Sequence, residues 1–264
     1  SRNYGEGIET FFDPLLSFLV GFEKLFLNTP WPITIFTILS ICWLASRLIL
    51  IVSGTLLSFL LIGYFGMWED TMSTLAIILV ATLLCICIGI PIGIAMARSN
   101  KVQTLILPIL DVMQTIPSFV YLIPVVMLLG IGKVPGLIAV CIYAIPPIVR
   151  LTNLGIRLVD KDILEAAESF GANYWQKLFG VQIPLALPTI FAGVNQTIMM
   201  SLAMVVIASL VSAPGLGVLV LRGIRNLELG VGLIAGLGIV LLAVILDRVS
   251  KAAIARVSSD QTFK

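Results

Sequence analysis

Apolar residues come in runs of about twenty along this chain, and the few charged residues fall between the runs. Residues 25–46 and 48–68 are uncharged, with Arg47 alone between them, and 71–97 is uncharged throughout. A helix needs about 20 apolar residues to cross the hydrocarbon core. By that measure 25–46, 48–68, 71–97, 105–132, 134–154, 189–211 and 231–248 predict seven spans. Pro30 and Pro32 place the start of the first near Trp31. Pro91, with Gly89 and Gly93, is expected to bend the far end of the third. The fourth carries prolines at 108, 117 and 124, and the fifth carries Pro146-Pro147. Residues 212–230 read as a glycine-rich connection. The lead, 1–30, is mixed and mildly amphipathic, as an interfacial helix would be. It has no basic stretch followed by a cleavage site, so no signal peptide is expected. The organisation is therefore an amphipathic lead (1–30), a two-helix hairpin (31–68), a five-helix core (69–256) with a polar loop at 160–188, and a tail (257–264). The fold class is an all-α integral membrane protein of about seven transmembrane helices.

Composition agrees. Of 264 residues, 59% are hydrophobic and 11% charged, against about 25% charged in a soluble domain. A net charge of +2 is too small to suggest nucleic acid as a partner. There are no histidines, which removes the usual zinc ligand and the usual general base. Cys42, Cys85, Cys87 and Cys141 lie inside apolar runs, and Cys85-x-Cys87 has the wrong spacing for a metal or redox motif, so no metal site is expected. Of the 16 Lys and Arg, eleven fall on one side of a seven-span arrangement and five on the other: Arg2, Lys24, Lys133, Arg222 and Arg225. The positive-inside rule then puts the amino terminus outside and the carboxy terminus and the 160–188 loop in the cytoplasm.

That loop is the one extended polar segment between spans. Asp162 precedes Glu165 at capping-box spacing. Ile163, Ala167, Phe170, Tyr174 and Leu178 recur every three or four residues, predicting one helix with a single apolar stripe. Gly171 falls in its middle, where it permits a bend or the close approach of another chain. Taken alone, the periodicity fits equally a helix resting on lipid headgroups.

The sequence Glu165-Ala166-Ala167, then Gly171, then Val181-Gln182-Ile183-Pro184 resembles the EAA loop of ATP-binding-cassette (ABC) importer permeases. Val181 and Ile183 stand where that pattern has Ile and Leu, both conservative departures. The stretches "PILDVMQTIPSFVYLIPVVMLLGIGKVPG", "PPIVRLTNLGI" and "AGVNQTIMMSLAMVVIASLVSAPGLG" look like the glycine betaine/proline betaine branch of the type I importers, and the similarity runs from about Thr71 to Arg248. The resemblance implies a homodimer in the inner membrane, two cytoplasmic ABC ATPase subunits and an external substrate-binding protein. ATP and Mg would be held by the ATPase, with no cofactor and no catalytic residue in this chain. The loop would be the coupling helix that docks on the ATPase. Glu165, Ala166, Ala167 and Gly171 would locate it, and Phe170, Tyr174 and Trp175 would supply apolar contact.

The resemblance also implies a pathway on the dimer axis, lined by the fourth and sixth spans. Gln114, Thr115, Asn195, Gln196 and Met199 are candidates there, with Phe119 and Tyr121 as the clustered aromatics. The other reading of the polar residues is hydrogen bonding between helices, and of the aromatics, core packing. Two further classes are weighed. An ion-coupled secondary carrier would show internal repeats and intramembrane ionisable groups, and no clear repeat is seen. A membrane enzyme would need a nucleophile–base pair, and none is evident. Within the importers, an amino acid or another small molecule remains an alternative substrate.

Overall fold

The computed structural model describes residues 2–211 and 213–262, with side chains for 13–211 and 213–256. Every regular element among them is helical. In chain order these are α1 (Arg2–Asn28), α2 (Trp31–Ser46), α3 (Ile49–Tyr64), α4 (Trp68–Arg98), α5 (Asn100–Thr115), α6 (Leu122–Leu129), α7 (Lys133–Arg157), α8 (Lys161–Ser169), α9 (Tyr174–Lys177), α10 (Ile183–Ala208), α11 (Leu216–Arg225) and α12 (Leu229–Thr262). The expected tail continues α12 to Thr262; its side chains and residues 263–264 lie outside the described residues.

The spans differ in detail from the expected seven. Four helical stretches among the described residues are long and apolar enough to cross a membrane: Trp68–Arg98, Lys133–Arg157, Tyr174–Val211 and Leu229–Arg256. The fourth expected span is broken: α5 and the Ser118–Leu129 stretch meet at 110°. Pro117 is the cause. It has no N–H to give the Met113 carbonyl one turn back, and the Tyr121 hydroxyl donates to that carbonyl instead. A second break, of 107°, separates Asp13–Asn28 from α2 at Thr29–Pro30. α3 is an apolar helix of 16 residues. The glycine-rich 212–230 segment contains α11, whose Leu216 N–H donates to Thr74 Oγ1 of α4 at 2.9 Å.

α7 is the centre of the bundle, between α4 and α10. A Cβ at Gly93 of α4 would stand 2.5 Å from the Thr152 Cβ of α7, and one at Gly155 of α7 would stand 2.9 Å from the Thr189 Cβ of α10. Small residues let membrane helices approach this closely, and dispersion then holds them together. Gly89 and Gly93 serve packing, and α4 runs on as one helix through Pro91 to Arg98. The amphipathic lead does not merely lie at an interface. Its Leu19 is buried, and its buried Glu23 accepts from Lys133 Nζ and from Ser73 Oγ at 3.1 Å, pinning α1 to α4 and α7.

Candidate functional site

The polar loop is built from two short capped helices, not one. Asp160 Oδ1 accepts the Asp162 N–H at 2.9 Å, so Asp160 and not Asp162 opens α8. Asp162 sits in the first turn, where a negative charge suits the helix dipole. The helix stops at Gly171, whose φ of +80° is the left-handed conformation that glycine adopts without a Cβ penalty. The Gly171 N–H donates to the Glu168 carbonyl at 2.8 Å and the Ala172 N–H to the Ala167 carbonyl at 3.0 Å. These are the two bonds of a Schellman stop. Asn173 and Gln176 then open α9 with reciprocal side chain–backbone bonds of 2.9 and 2.8 Å. Gly171 is thus a helix terminator rather than a mid-helix interruption, and the single stripe expected from periodicity is divided: Leu178 is 2% exposed while Phe170 is 93% exposed.

After α9 a π turn, Leu178–Gln182, leads into α10. Pro184 cannot donate to the Gly180 carbonyl, and the wider turn absorbs that loss. The loop is tied down at several points. The Arg98 guanidinium at the end of α4 lies 4.5 Å from the centre of the Tyr174 ring, and Glu168 pairs with Lys177 across the turn. Arg157 closes α7 by donating to Asn153 Oδ1 at 3.0 Å and to the Met96 carbonyl of α4 at 2.8 Å.

The result leaves several apolar side chains of the loop exposed. Phe170 stands clear of the protein, and Ile163 and Trp175 are exposed. Trp175 stacks on Phe179, centroids 5.9 Å apart, and meets Tyr174 edge-on at 5.3 Å. Glu165 and Ala166 are exposed, and Ala167 is half-buried. Exposed clustered aromatics on rigid backbone are the anatomy of a docking surface. Phe179 was not among the residues expected here, although its spacing of four from Trp175 is a same-face signal.

The expected pathway residues lie on α5, the 3-10 turn beyond it and α10. Gln114 and Thr115 end α5 in exposed positions, and Phe119 is exposed in the 3-10 turn beyond Pro117. Tyr121 is buried: it braces the broken span and meets Tyr143 edge-on at 6.1 Å. On α10, Gln196 is exposed and Met199 half-buried. Asn195 bonds across to α12, donating to Asp247 Oδ1 at 3.5 Å and accepting from the Ser250 hydroxyl. Lys251 holds the other Asp247 oxygen at 2.8 Å. Asp111 pairs with Arg150 of α7. Both acids are therefore paired.

The chain is 52% identical over 239 residues to the "Glycine betaine/proline betaine transport system permease protein ProW" of Escherichia coli (strain K12), covering 90% of this chain and 67% of that protein. It is 44% identical over 255 residues to the "Glycine betaine/carnitine transport permease protein GbuB" of Listeria monocytogenes serotype 1/2a (strain 10403S), covering 92% of this chain and 89% of the relative. Among solved structures, an inward-facing MetNI methionine ABC transporter chain superposes with a TM-score of 0.65 at 20% identity, covering 72% of this chain and 95% of that one. This last likeness is one of fold. The family model for the "Binding-protein-dependent transport system inner membrane component" matches residues 89–259, which takes in the end of α4, the capped loop and the whole of α7 and α10, and the chain belongs to that family.

Proposed function

We propose that this chain is the membrane-spanning subunit of an ATP-driven importer for a quaternary amine or related compatible solute, glycine betaine or proline betaine first. The observation that carries the reading is the exposed, doubly capped 160–188 loop in a chain 52% identical to a glycine betaine/proline betaine permease. Two copies would form the pathway between them. Gln114, Thr115, Phe119, Gln196 and Met199 are exposed or half-buried in a single copy, as residues facing an axis would be, and neutral polar groups suit a zwitterion. Each loop would seat on a cytoplasmic ATPase that holds ATP and Mg. An external binding protein would deliver the solute.

Mechanically, the chain's part is to transmit a push. ATP binding shifts a population between inward-open and outward-open arrangements, and it can do so only through contacts that differ between the two. A loop anchored to α4 by Arg98 and continuous with α10 moves as one body with the bundle. The carboxy terminus and the loop are assigned to the cytoplasm and the amino terminus to the outside. The family assignment favours this reading over an ion-coupled carrier.

The test is reconstitution of the chain with its ATPase and binding protein in liposomes. Labelled glycine betaine should accumulate only with ATP, and proline betaine, carnitine and trimethylamine N-oxide should be ranked as competitors. Uptake driven by a proton or sodium gradient without ATP would refute the reading.

A further inference from the structure

α2, α4 and α12, with the end of α1 and Phe59 of α3, enclose a crevice of about 450 Å³. Ile38 and Ile41 of α2, Leu75 and Leu79 of α4, and Leu242 and Ile245 of α12 form its walls. Three hydroxyls also face it, and each is already committed to its own helix. Thr29 donates to the Leu25 carbonyl at 2.5 Å, Thr34 to that of Pro30 at 3.5 Å and Thr37 to that of Ile33 at 2.8 Å. Buried waters need two to four polar partners each, and these walls do not supply them. An empty void of this size would forfeit the dispersion contacts of its whole lining. The occupant is therefore apolar. Because α4 and α12 are long and apolar enough to span the membrane, hydrocarbon is what surrounds them.

One end of the crevice is basic. Cys42 and Val249 mark the end where α2 stops and α12 continues. There Arg47 caps α2, Arg248 adjoins Val249, and the Arg256 guanidinium donates to the Leu44 carbonyl. Asp247 is the one carboxylate among the described side chains of α2 and α12; Lys251 and Asn195 bond it and Arg248 also acts on it, so one acid faces Arg47, Arg248 and Lys251 and the end stays net basic. Arg47 has φ +49°. A left-handed cap normally takes glycine, and a side chain there costs about 1 kcal/mol or more. An arginine kept at that cost points to use of its side chain.

We propose that this crevice binds one acyl chain of an anionic phospholipid whose headgroup rests on Arg47 and Arg248. The proposal rests on membrane insertion alone and is independent of the solute transported.

The test uses the full transporter in mild detergent, delipidated and then offered phosphatidylglycerol or phosphatidylcholine of equal chain length. Bound lipid is counted by native mass spectrometry, and a single symmetric size-exclusion peak checks folding. The wild type should retain phosphatidylglycerol at least fivefold over phosphatidylcholine. Thr37→Trp should fill the crevice and lose the retained lipid, while Phe36→Trp, on the outward face of the same helix, should keep it. A combined Arg47→Gln, Arg248→Gln variant should keep a bound chain but lose the preference. Should Thr37→Trp not fold, Ile41→Phe fills the same space. Equal retention of both lipids by the wild type would overturn the proposal. Unchanged retention in the filled variant would do so too. A filled variant that dissociates the homodimer would show that a second copy covers the crevice instead.

Discussion

Gly171→Asp separates a docking loop from a merely surface-lying one, because the structure lets the contributions be estimated apart. In the isolated chain a Cβ at Gly171 meets nothing within 4 Å, so there is no internal clash. The φ of +80° sets a strain cost, about 1–2 kcal/mol for a non-glycine residue. At about 1.4 kcal/mol per decade that is roughly five- to thirtyfold. A carboxylate trapped unpaired inside an interface adds about 3–5 kcal/mol, or roughly a hundredfold to several thousandfold in affinity. Gly66 provides the control: it has φ +71°, and a Cβ there also meets nothing within 4 Å. Gly66→Asp carries the same strain and charge without the partner. The assay is ATPase-subunit binding by pull-down titration, with ATP-driven uptake in parallel. Gly171→Asp should insert and dimerise yet bind its ATPase at least a hundredfold more weakly; Gly66→Asp should bind normally. Gly171→Asn, which tolerates the left-handed conformation, should relieve the strain and leave the steric part. Normal uptake by Gly171→Asp at normal expression would refute the reasoning and leave the loop as a headgroup-lying helix.

Other expectations follow from particular contacts. Lys133→Met leaves the buried Glu23 carboxylate without its cation; with the lysine side chain 35% exposed, the full buried-pair cost shrinks to about 1–3 kcal/mol. It should appear as a lower melting temperature with early proteolysis of α1, and adding Glu23→Gln should restore most of it. Gly93→Leu forces a side chain into the 2.5 Å approach to Thr152, and overpacking of about 1–3 kcal/mol or more should cut the yield of folded protein in a fluorescence-detected size-exclusion assay. Asn195→Ala removes the bond to Asp247, worth about 0.6–1.7 kcal/mol in a membrane, and should lower thermal stability while leaving the competition order of solutes unchanged. In a cysteine-free background, cysteine at Glu69 should label from outside intact cells and cysteine at Glu168 should not; the reverse would invert the assigned topology.

The primary sequence by itself determined the environment, the all-helical class and the address of the loop. In hydrocarbon every backbone polar group must be satisfied within the chain, so apolar runs of span length leave no alternative to helices, and each run is read without knowing its neighbours. The loop was legible for the opposite reason: its charges and the Glu165, Gly171, Pro184 spacing stand out against that background. What the loop looks like was not legible. Helical periodicity ran straight through Gly171, whereas the chain stops there in a Schellman turn, because a glycine's conformation is chosen by the carbonyls left to bond it. The prolines made the same point. Pro91, Pro108, Pro146 and Pro147 stay inside helices, and Pro117 breaks one. A break needs something to take the freed carbonyl, and only the fold brings the Tyr121 hydroxyl to Met113. Asn195 and the glycines of α4 follow the same logic. A polar side chain or a missing Cβ has no meaning along the chain until tertiary packing decides which helix stands opposite it, and there Asn195 meets Asp247 while Gly93 meets Thr152.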